Sequence, residues 1–219
     1  ISDLPHTLIS LASVYSYPID GIVFKFDDLN YGKSLGETAH HFKNAIAYKF
    51  YDDEYETELL DIEWGMGRTG VLTPTAVFEP VDIDGSIIER ASLHNLSIME
   101  ETIGIPYRNQ KISVYKANMI IPQIGEADKK NGTDETIIQL PDFCPICGGQ
   151  VKIREENNTK NLVCENSQCE GKLINQLDHF CGKKGLDIKG LSKATLEKLI
   201  DWGWIESKLD IFKLQEHKA

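Results

Sequence analysis

The run Gly70-Val-Leu-Thr-Pro-Thr-Ala-Val-Phe-Glu-Pro-Val81 is the longest of four short, apolar-rich segments in the middle of the chain. The other three cover residues 56–64, 86–93 and 111–121. Turn-forming residues separate the segments, as at Asp84-Gly85. Short apolar runs with turns between them are typical of antiparallel strands. This part of the chain is therefore predicted to be all-β.

Five or so short strands suit a small barrel of the OB type, and we assign residues 54–140 to this domain. The sequence Ser-Ile-Met-Glu-Glu-Thr-Ile-Gly at 97–104 predicts a short helix within it. Residues 125–136 are polar and rich in turn formers, which predicts an exposed loop or linker.

Two strand-like segments before this domain each carry a lysine in an apolar run. The first is Asp20-Gly-Ile-Val-Phe-Lys25, and the second is Ala45-Ile-Ala-Tyr-Lys-Phe50. In ideal strand geometry the bulky side chains share one face, and Lys25 or Lys49 lies on the other. We interpret Asp20-Gly21 as the bend at which the first strand begins. Because two or three strands cannot bury a core alone, residues 1–53 are expected to be the end of a larger domain.

These two lysines have two interpretations. They could line one cleft with two positive charges, as binding a phosphate would require. Alternatively, both are solvated positions on half-exposed strands, which is the usual state of a single lysine.

Four of the five cysteines follow the pattern Cys144-x2-Cys147-x16-Cys164-x4-Cys169. Paired knuckles with this spacing can hold four thiolates in a tetrahedron around zinc. Disulfides are the alternative, but an odd number of cysteines and the lack of a secretion signal favour reducing conditions and a metal. Cys181 lies outside the pattern and is expected to be a small buried residue.

Two helices are predicted after the cysteine cluster. The segment 171–185 is predicted to form a helix that ends near Gly182. The segment 191–203 is predicted to form another, with Ser192 as its N-cap and Gly203 as its stop. The segment between them, Leu-Asp-Ile-Lys-Gly-Leu-Ser-Lys, resembles the hairpin of a helix-hairpin-helix element, in which backbone N–H groups hold a DNA phosphate. A plain helical hairpin is the alternative.

The formal net charge of −11 is unusual for a protein that binds nucleic acid by neutralising phosphates. The acidic excess belongs to residues 1–143, which contain 11 Lys and Arg against 23 Asp and Glu, whereas residues 144–219 contain 12 against 11. Local patches must therefore provide any DNA affinity. The lysines near the predicted hairpin are Lys172, Lys183, Lys184, Lys189 and Lys193.

The 219-residue chain begins with isoleucine and contains no apolar run of about 20 residues. We expect a soluble, cytoplasmic protein without a membrane partner that is part of something longer.

Taken in order, these motifs resemble those of the bacterial NAD-dependent DNA ligases. Asp-Gly-x-Val-x-Lys at 20–25, followed 24 residues later by Lys49, is similar to two nucleotidyltransferase motifs of that family. The family's order continues through LGETAHH, GMGRTGVLTPTAVFEPV, RASLHN, IIPQI, the cysteine cluster and HFCGKKGLDIKGLSKATLEKL. The resemblance covers nearly the whole chain.

The resemblance implies a multidomain α+β chain with four parts. They are the end of an adenylation domain at 1–53, an all-β OB-fold barrel at 54–140, a four-cysteine zinc finger at 141–171 and the first helix-hairpin-helix element at 172–219.

It also implies the sealing of nicks between a 5′-phosphate and a 3′-hydroxyl in duplex DNA, in replication and repair. An active-site lysine takes AMP from NAD, AMP passes to the 5′-phosphate, and the 3′-hydroxyl displaces it. Magnesium, or manganese, is the expected metal of the reaction, beside the zinc of the finger.

The family's functional residues match several positions here. Lys25 and Lys49 match the motif lysines and would contact the AMP phosphate. Asp20 matches the acidic position near the ribose or a magnesium-bound water, and Gly21 would permit close approach. Arg68 in Gly-Arg-Thr-Gly matches the arginine that reaches the DNA backbone at the nick.

Further DNA contacts are implied in the last two-thirds of the chain. Lys116 stands where the family usually has arginine, so a bidentate contact from a guanidinium would be replaced by a contact from a single ammonium group. Lys189, Gly190 and Lys193 of the hairpin would contact phosphates, although Ser192 replaces the second hairpin glycine. For His94 and Asn95 in RASLHN, a structural role and a DNA contact are both open.

Several family features are absent. The nucleophile motif Lys-x-Asp-Gly does not occur, and its nearest imitation is Lys129-Lys-Asn-Gly132. The family usually has an arginine eight residues before the motif aspartate, where this chain has Ala12. It also usually has Pro-Arg-Trp where this chain has Phe-Lys-Asn at 42–44. We therefore expect a divergent bacterial or viral member, either a fragment or one subunit, that needs an upstream adenylation portion in the same or a separate chain.

The rival hypothesis is a catalytically inactive DNA-binding module built from the barrel, finger and hairpin. Retention of both Lys25 and Lys49 favours the ligase, because a DNA clamp has no need of them. An RNA ligase or capping enzyme would explain the two strands but not the cysteines and hairpin.

Overall fold

The computed structural model describes residues 4–16, 19, 21–39, 41–49, 53–129, 133 and 136–217. The chain divides into two compact units, one of residues 1–53 with 116–121 and the other of residues 54–115 with 122–219. None of the helices in the described ranges combines the length and the apolar character needed to cross a membrane.

The first unit contains two helices and a two-stranded antiparallel sheet. The elements are α1 (Leu4–Val14), β1 (Gly21–Lys25), α2 (Leu29–Ser34) and β2 (Ala45–Lys49). The Asp28 carboxylate caps α2 by accepting the N–H groups of Asn30 and Tyr31. Among the residues of 1–53 with described burial, Gly32 alone is buried. The small sheet therefore leaves most of its apolar side chains uncovered, as expected for two strands.

The second unit is built on a larger sheet with the strand order β7-β6-β3-β4-β9-β8 and with β5 beside β4. Its strands are β3 (Tyr55–Met66), β4 (Val71–Ile83), β5 (Ser86–Ser92), β6 (Gln110–Ala117), β7 (Ile121–Ala127), β8 (Val151–Glu156) and β9 (Thr159–Cys164). β3 pairs with β4 and β6 in antiparallel registers, and β4 does so with β5 and β9. β4 is thus the strand on which the unit is organised.

The sequence of β4 explains both its burial and its shape. Leu72, Pro74, Ala76 and Phe78 alternate with partly exposed residues and are all buried, which is the period-2 pattern of a strand with one covered face. The pairing of β4 with β5 shifts register between Val77 and Val81. Pro80 lies within that shift, where its missing N–H costs the sheet no hydrogen bond.

Helix α3 (Leu96–Ile103) covers the core formed by these strands. Leu96, Met99 and Ile103 are its buried residues, at the i, i+3 and i+7 spacing of one helix face. The Asn95 side chain caps α3 by accepting the N–H of Ile98 at 2.9 Å. The predicted short helix is confirmed, and Asn95 has a structural role.

Two predictions in this region were wrong in detail. The run 111–121 is not one strand, because a turn at Asn118 and Met119, with φ of 54° and 62°, divides it into β6 and β7. Two consecutive left-handed residues are the geometry of a type I′ hairpin turn. The predicted loop 125–136 also begins too early, since residues 125–127 belong to β7. Residues 130–132, 134 and 135 of that loop lie outside the described ranges.

The last part of the chain is helical. It contains α4 (Glu170–Cys181), α5 (Lys193–Asp201) and a 3-10 helix (Lys208–His217). Gly182 ends α4, the Ser192 hydroxyl caps α5 by accepting the Thr195 N–H, and Gly203 follows α5 with a φ of 70°. These boundaries are as predicted. A small core that includes Leu177, Leu196 and the fully buried Cys181 holds the helices together, which confirms Cys181 as a buried residue.

Replacing a core side chain of β3 should cost far more stability than replacing an exposed one in the same sheet. Leu59 is 0% exposed, and Ile87 is 74% exposed. We expect Leu59→Ala to lower the free energy of unfolding by about 2–5 kcal/mol through lost burial and a cavity. Ile87→Ala should cost less than about 1 kcal/mol. Denaturant unfolding followed by circular dichroism measures both, and equal losses would contradict this description of the core.

Candidate metal centre and nucleic-acid interface

The first two cysteines of the cluster lie in a tight turn, residues 144–149. The Cys144 N–H donates to the Gly149 carbonyl at 2.7 Å, and the Gly148 N–H donates to the Cys144 carbonyl at 2.9 Å. Gly148 has a φ of 67°, a left-handed conformation that glycine adopts without strain. The Gly149 N–H also approaches the Cys147 sulfur at 3.4 Å. These contacts close the backbone around the two thiols.

The other two cysteines come from the ends of regular elements. Cys164 is the last residue of β9, and Cys169 is the residue before α4. Asn166 bridges them: its carbonyl accepts the Cys169 N–H at 3.3 Å, and its side chain accepts the Gln168 N–H at 2.9 Å. The β8–β9 hairpin therefore brings the second pair of thiols back to the first.

All four sulfur atoms lie within 4.8 Å of one another. The Cys144 and Cys169 sulfurs are 4.0 Å apart, and those of Cys147 and Cys164 are 3.6 Å apart. A tetrahedral zinc with Zn–S bonds of about 2.3 Å separates its ligands by about 3.8 Å, whereas bonded sulfurs are about 2.05 Å apart. The cluster therefore fits a tetrahedral metal site, and all five cysteines are free thiols.

The protein environment acts differently on these thiols. Burial raises the pKa of the Cys164 thiol to about 12 and also raises the pKa of Cys169. The hydrogen bond from the Gly149 N–H lowers the pKa of Cys147 to about 6. Buried thiols with a raised pKa keep their protons, so a metal that binds here must displace them.

The turn between β3 and β4, Gly67-Arg-Thr-Gly70, lies beside this cluster. The Gly67 N–H donates to the Val71 carbonyl at 2.8 Å, and the Gly70 N–H donates to the Gly67 carbonyl at 2.9 Å. Gly70 has a φ of 89°, which favours glycine. Its carbonyl accepts the Cys164 N–H at 2.9 Å. The turn that carries Arg68 is thus hydrogen-bonded to one of the four cysteines.

Helix α4 contacts the same turn from another side. The Arg68 Nη1 lies 3.2 Å from the His179 Nε2, and the Gln176 Nε2 donates to the Arg68 carbonyl at 3.1 Å. Lys172 Nζ donates to the Cys164 carbonyl at 2.7 Å. The arginine turn, the cysteine cluster and α4 therefore form one contiguous hydrogen-bonded region.

Three residues of this region have roles that sequence reasoning missed. Lys172 was assigned only to the basic patch, and Gln176 and His179 were not singled out. Their spacing of i, i+4 and i+7 puts all three on one face of α4. Leu177 and Cys181 lie on the buried face. A polar stripe on a helix whose other face is buried was a signal that something polar packs against it.

The predicted hairpin residues Lys189 and Gly190 lie between α4 and α5, and Lys193 is the first residue of α5. Lys189 Nζ contacts both carboxylate oxygens of Asp187, at 2.8 and 2.9 Å. Lys193 Nζ donates to the Asn175 side chain at 3.0 Å. Gly190 has a φ of 80°, and a Cβ there would meet nothing within 4 Å. The turn is therefore open on the side of Gly190, with the two lysines near it.

The surroundings of Lys116, a predicted DNA contact, and of His94, for which a structural role was the alternative, are different. Lys116, near the end of β6, is only 8% exposed, so a DNA contact there would require the residue to become more accessible. The His94 N–H donates to the Ser92 hydroxyl at 3.2 Å, and its backbone is left-handed with a φ of 59°.

In the first unit the strand register brings the two motif lysines to one face. Lys25 pairs with Ala45, and Lys49 pairs with Gly21. Directly paired residues share a face, so Lys25 and Lys49 lie on the same side of the ladder, about 13 Å apart along it. Lys25 is exposed and lines a cavity of about 350 Å³ together with Lys43. Asp20 lies outside the described residues.

Sequence comparisons connect both units to one enzyme family. Residues 1–53 match the model of the NAD-dependent DNA ligase adenylation domain, and residues 56–136 match the model of the NAD-dependent DNA ligase OB-fold domain. The chain belongs to the NAD-dependent DNA ligase family. The resemblance drawn from the motifs is therefore confirmed, and so is the OB-fold domain, which here belongs to a large antiparallel sheet.

Several curated relatives of this ligase-family chain are named DNA ligase. It is 46% identical over 203 residues to a DNA ligase of Ruminiclostridium cellulolyticum and 44% identical over 203 residues to one of Lachnoclostridium phytofermentans. It is 43% identical over 201 residues to a DNA ligase of Thermosipho africanus. The matches cover 90–92% of this chain, which spans about 30% of the length of these relatives.

We expect one zinc ion per chain in this ligase-family protein, held by Cys144, Cys147, Cys164 and Cys169. Zinc affinity should rise from about pH 6 to about pH 8, because protons compete with the metal for the thiolates. Elemental analysis gives the stoichiometry, and competition with a chromophoric chelator gives the affinity.

The matched variants for this prediction are Cys147→Ser and Cys181→Ser. The first removes a ligand and should lose the zinc, whereas the second removes a buried thiol outside the cluster and should retain it. Freshly purified protein that contains no zinc, without exposure to chelators, would refute the site.

Proposed function

We propose that this chain is part of an NAD-dependent DNA ligase that seals nicks between a 5′-phosphate and a 3′-hydroxyl in duplex DNA. The reaction would proceed through lysyl-AMP and DNA-adenylate intermediates, in cytoplasmic replication and repair. In this proposal residues 1–53 end the adenylation domain, 54–140 form the OB fold, 141–171 the zinc finger and 172–219 the first helix-hairpin-helix element.

The observation that supports this proposal most directly is the register of β1 and β2. It leaves Lys25 and Lys49 on one face, and Gly21 directly opposite Lys49. Lysine side chains that extend toward each other from these positions can converge on one phosphate. Such convergence would neutralise the non-bridging oxygens during transfer of AMP, which is where charge has to be stabilised in phosphoryl chemistry.

The proposed groups have different tasks. Zinc bound by four cysteines leaves no open coordination position, so its role would be structural. NAD would supply the AMP group, and Asp20 would lie near the ribose or a water on magnesium or manganese. The chain contains no Lys-x-Asp-Gly, so the nucleophilic lysine would come from an upstream adenylation portion in the same or a separate chain.

The DNA partner would be a nicked duplex gripped through its backbone. Arg68 on the β3–β4 turn and Lys189, Gly190 and Lys193 on the helical hairpin are the proposed phosphate contacts, and Lys116 is a further one once uncovered. Backbone contacts of this kind carry no base sequence information. Residues 144–219 have nearly balanced charge, so affinity would depend on these few positions and on low salt.

In a ligase completed by its upstream portion, Lys25→Ala and Lys49→Ala should each reduce lysyl-AMP formation or transfer by roughly 100-fold or more. This is the loss expected when a charge that stabilises the transition state is removed. Thermal unfolding should barely change, because a lysine that faces solvent or a cleft contributes little to stability. Adenylylation and nick sealing are measured on the same preparations.

Lys33→Ala is the matched control, since Lys33 is an exposed lysine of the same unit that lies in α2. It should retain full sealing. The 219 residues alone, mixed with NAD and magnesium, should not become adenylylated. If both motif variants seal nicks at the normal rate, the two lysines are solvated surface residues, and the proposed phosphate contact is wrong.

Binding of the chain to nicked duplex DNA should be weak, independent of base sequence and strongly dependent on salt. Lys189→Ala and Lys193→Ala should each reduce the slope of log affinity against log salt by about one, because each removes one phosphate contact. Fluorescence anisotropy at several salt concentrations measures this slope. Lys111→Ala is the control, since Lys111 lies among acidic residues such as Glu56 and Glu126. A sequence preference that persists in high salt would argue against backbone binding.

A further inference from the structure

Helix α4 contacts both the main chain and the side chain of Arg68. The Gln176 amide donates to the Arg68 carbonyl at 3.1 Å, and the His179 Nε2 lies 3.2 Å from Arg68 Nη1. These residues are 108 and 111 positions away from the arginine in the sequence. Two separate side chains of one helix therefore converge on one residue of a distant turn.

A hydrogen bond between the Arg68 and His179 side chains can have only one direction. A guanidinium donates hydrogen bonds and cannot accept them, so the His179 Nε2 must be the acceptor. The imidazole is then neutral, with its proton on Nδ1. The contact occupies one nitrogen of the guanidinium, and among the described residues no carboxylate forms an ion pair with Arg68. The remaining N–H groups keep their capacity to bind an anion.

The base of the turn is also restrained. The Gly70 carbonyl accepts a hydrogen bond from the Cys164 N–H at 2.9 Å, and Lys172 of α4 donates to the Cys164 carbonyl at 2.7 Å. The Lys172 side chain packs where a Cβ on Gly70 would be, since such an atom would lie 2.2 Å from its Cε. The turn is thus held by β9 on one side and by α4 on the other.

We propose that Gln176 and His179 are positioning residues for Arg68, which hold its backbone and guanidinium in the orientation that meets a phosphate at the nick. This inference rests on the proposed function, in which Arg68 contacts the DNA backbone. An arginine fixed before binding loses less conformational freedom when it forms the contact. Removing the two α4 side chains should therefore weaken DNA binding through Arg68 alone.

The test is a set of double-variant cycles with the zinc-loaded chain and a nicked duplex. Arg68→Ala should weaken binding roughly ten-fold and lower the salt slope by about one. Gln176→Ala and His179→Ala should each weaken binding about three-fold and move the slope toward the Arg68→Ala value. In the Arg68→Ala background neither should have any further effect.

Two further variants separate positioning from folding. His179→Gln retains a side-chain acceptor and should restore most of the affinity that His179→Ala loses. Gln215→Ala removes an exposed glutamine of the 3-10 helix and should change neither affinity nor slope. The thermal midpoint of every variant is measured, because a general loss of structure would not be cancelled by Arg68→Ala.

The outcomes distinguish this inference from the function on which it rests. If Arg68→Ala lowers the slope but Gln176→Ala and His179→Ala do not, the positioning role is wrong and the DNA contact stands. The positioning role is equally wrong if the α4 variants weaken binding to the same extent with and without Arg68. If Arg68→Ala itself leaves affinity and slope unchanged, the proposed DNA contact fails, and the positioning role fails with it.

Discussion

The pairing of Val71 and Leu72 in β4 with Val163 and Leu162 in β9 is the interaction on which the larger unit depends. It joins the sheet that carries the hydrophobic core to the hairpin that ends in Cys164, one of the four cysteines. Leu72 and Leu162 are both buried members of that core. Because β4 continues directly from the Arg68 turn, the same pairing also fixes that turn beside the cysteine cluster. Core, metal site and arginine are thereby coupled in one local structure.

The cysteine cluster adds a second constraint with a different physical origin. The buried thiols of Cys164 and Cys169 have raised pKa values and contribute no charge until a cation replaces their protons. A bound metal would then connect the turn at 144–149, the end of β9 and the start of α4 at one point. Since α4 begins directly after Cys169 and contacts Arg68 through Gln176 and His179, one helix connects the cluster to the turn of the proposed DNA contact.

The first unit differs from the larger one in how little it buries. Its two strands bury almost nothing in the described residues, and large apolar side chains such as Ile46 remain 71% exposed. The unit nevertheless has a defined strand register, since antiparallel pairing of five residues of β1 with five of β2 puts Lys25 and Lys49 on one face of the ladder. The chain spans about 30% of the length of the curated relatives it matches.

The sequence by itself determined the local features of this protein. Alternation of apolar residues predicted β4, the N-cap Ser192 and the stop at Gly203 predicted α5, and spacing alone identified the four cysteines. Each of these depends on residues that are close in sequence. Local signals were weaker at Asn118 and Met119, where no glycine marks the turn, and one predicted strand was in fact two.

Tertiary structure alone decided which distant elements meet. Nothing local to Arg68 indicates His179, 111 residues away, and nothing local to β4 indicates β9 as its partner. Nor does the sequence reveal that Lys116 is almost buried while Lys25 is exposed. Such contacts arise because each element covers its apolar face with whatever surface the whole chain offers, and that choice is a property of the complete fold.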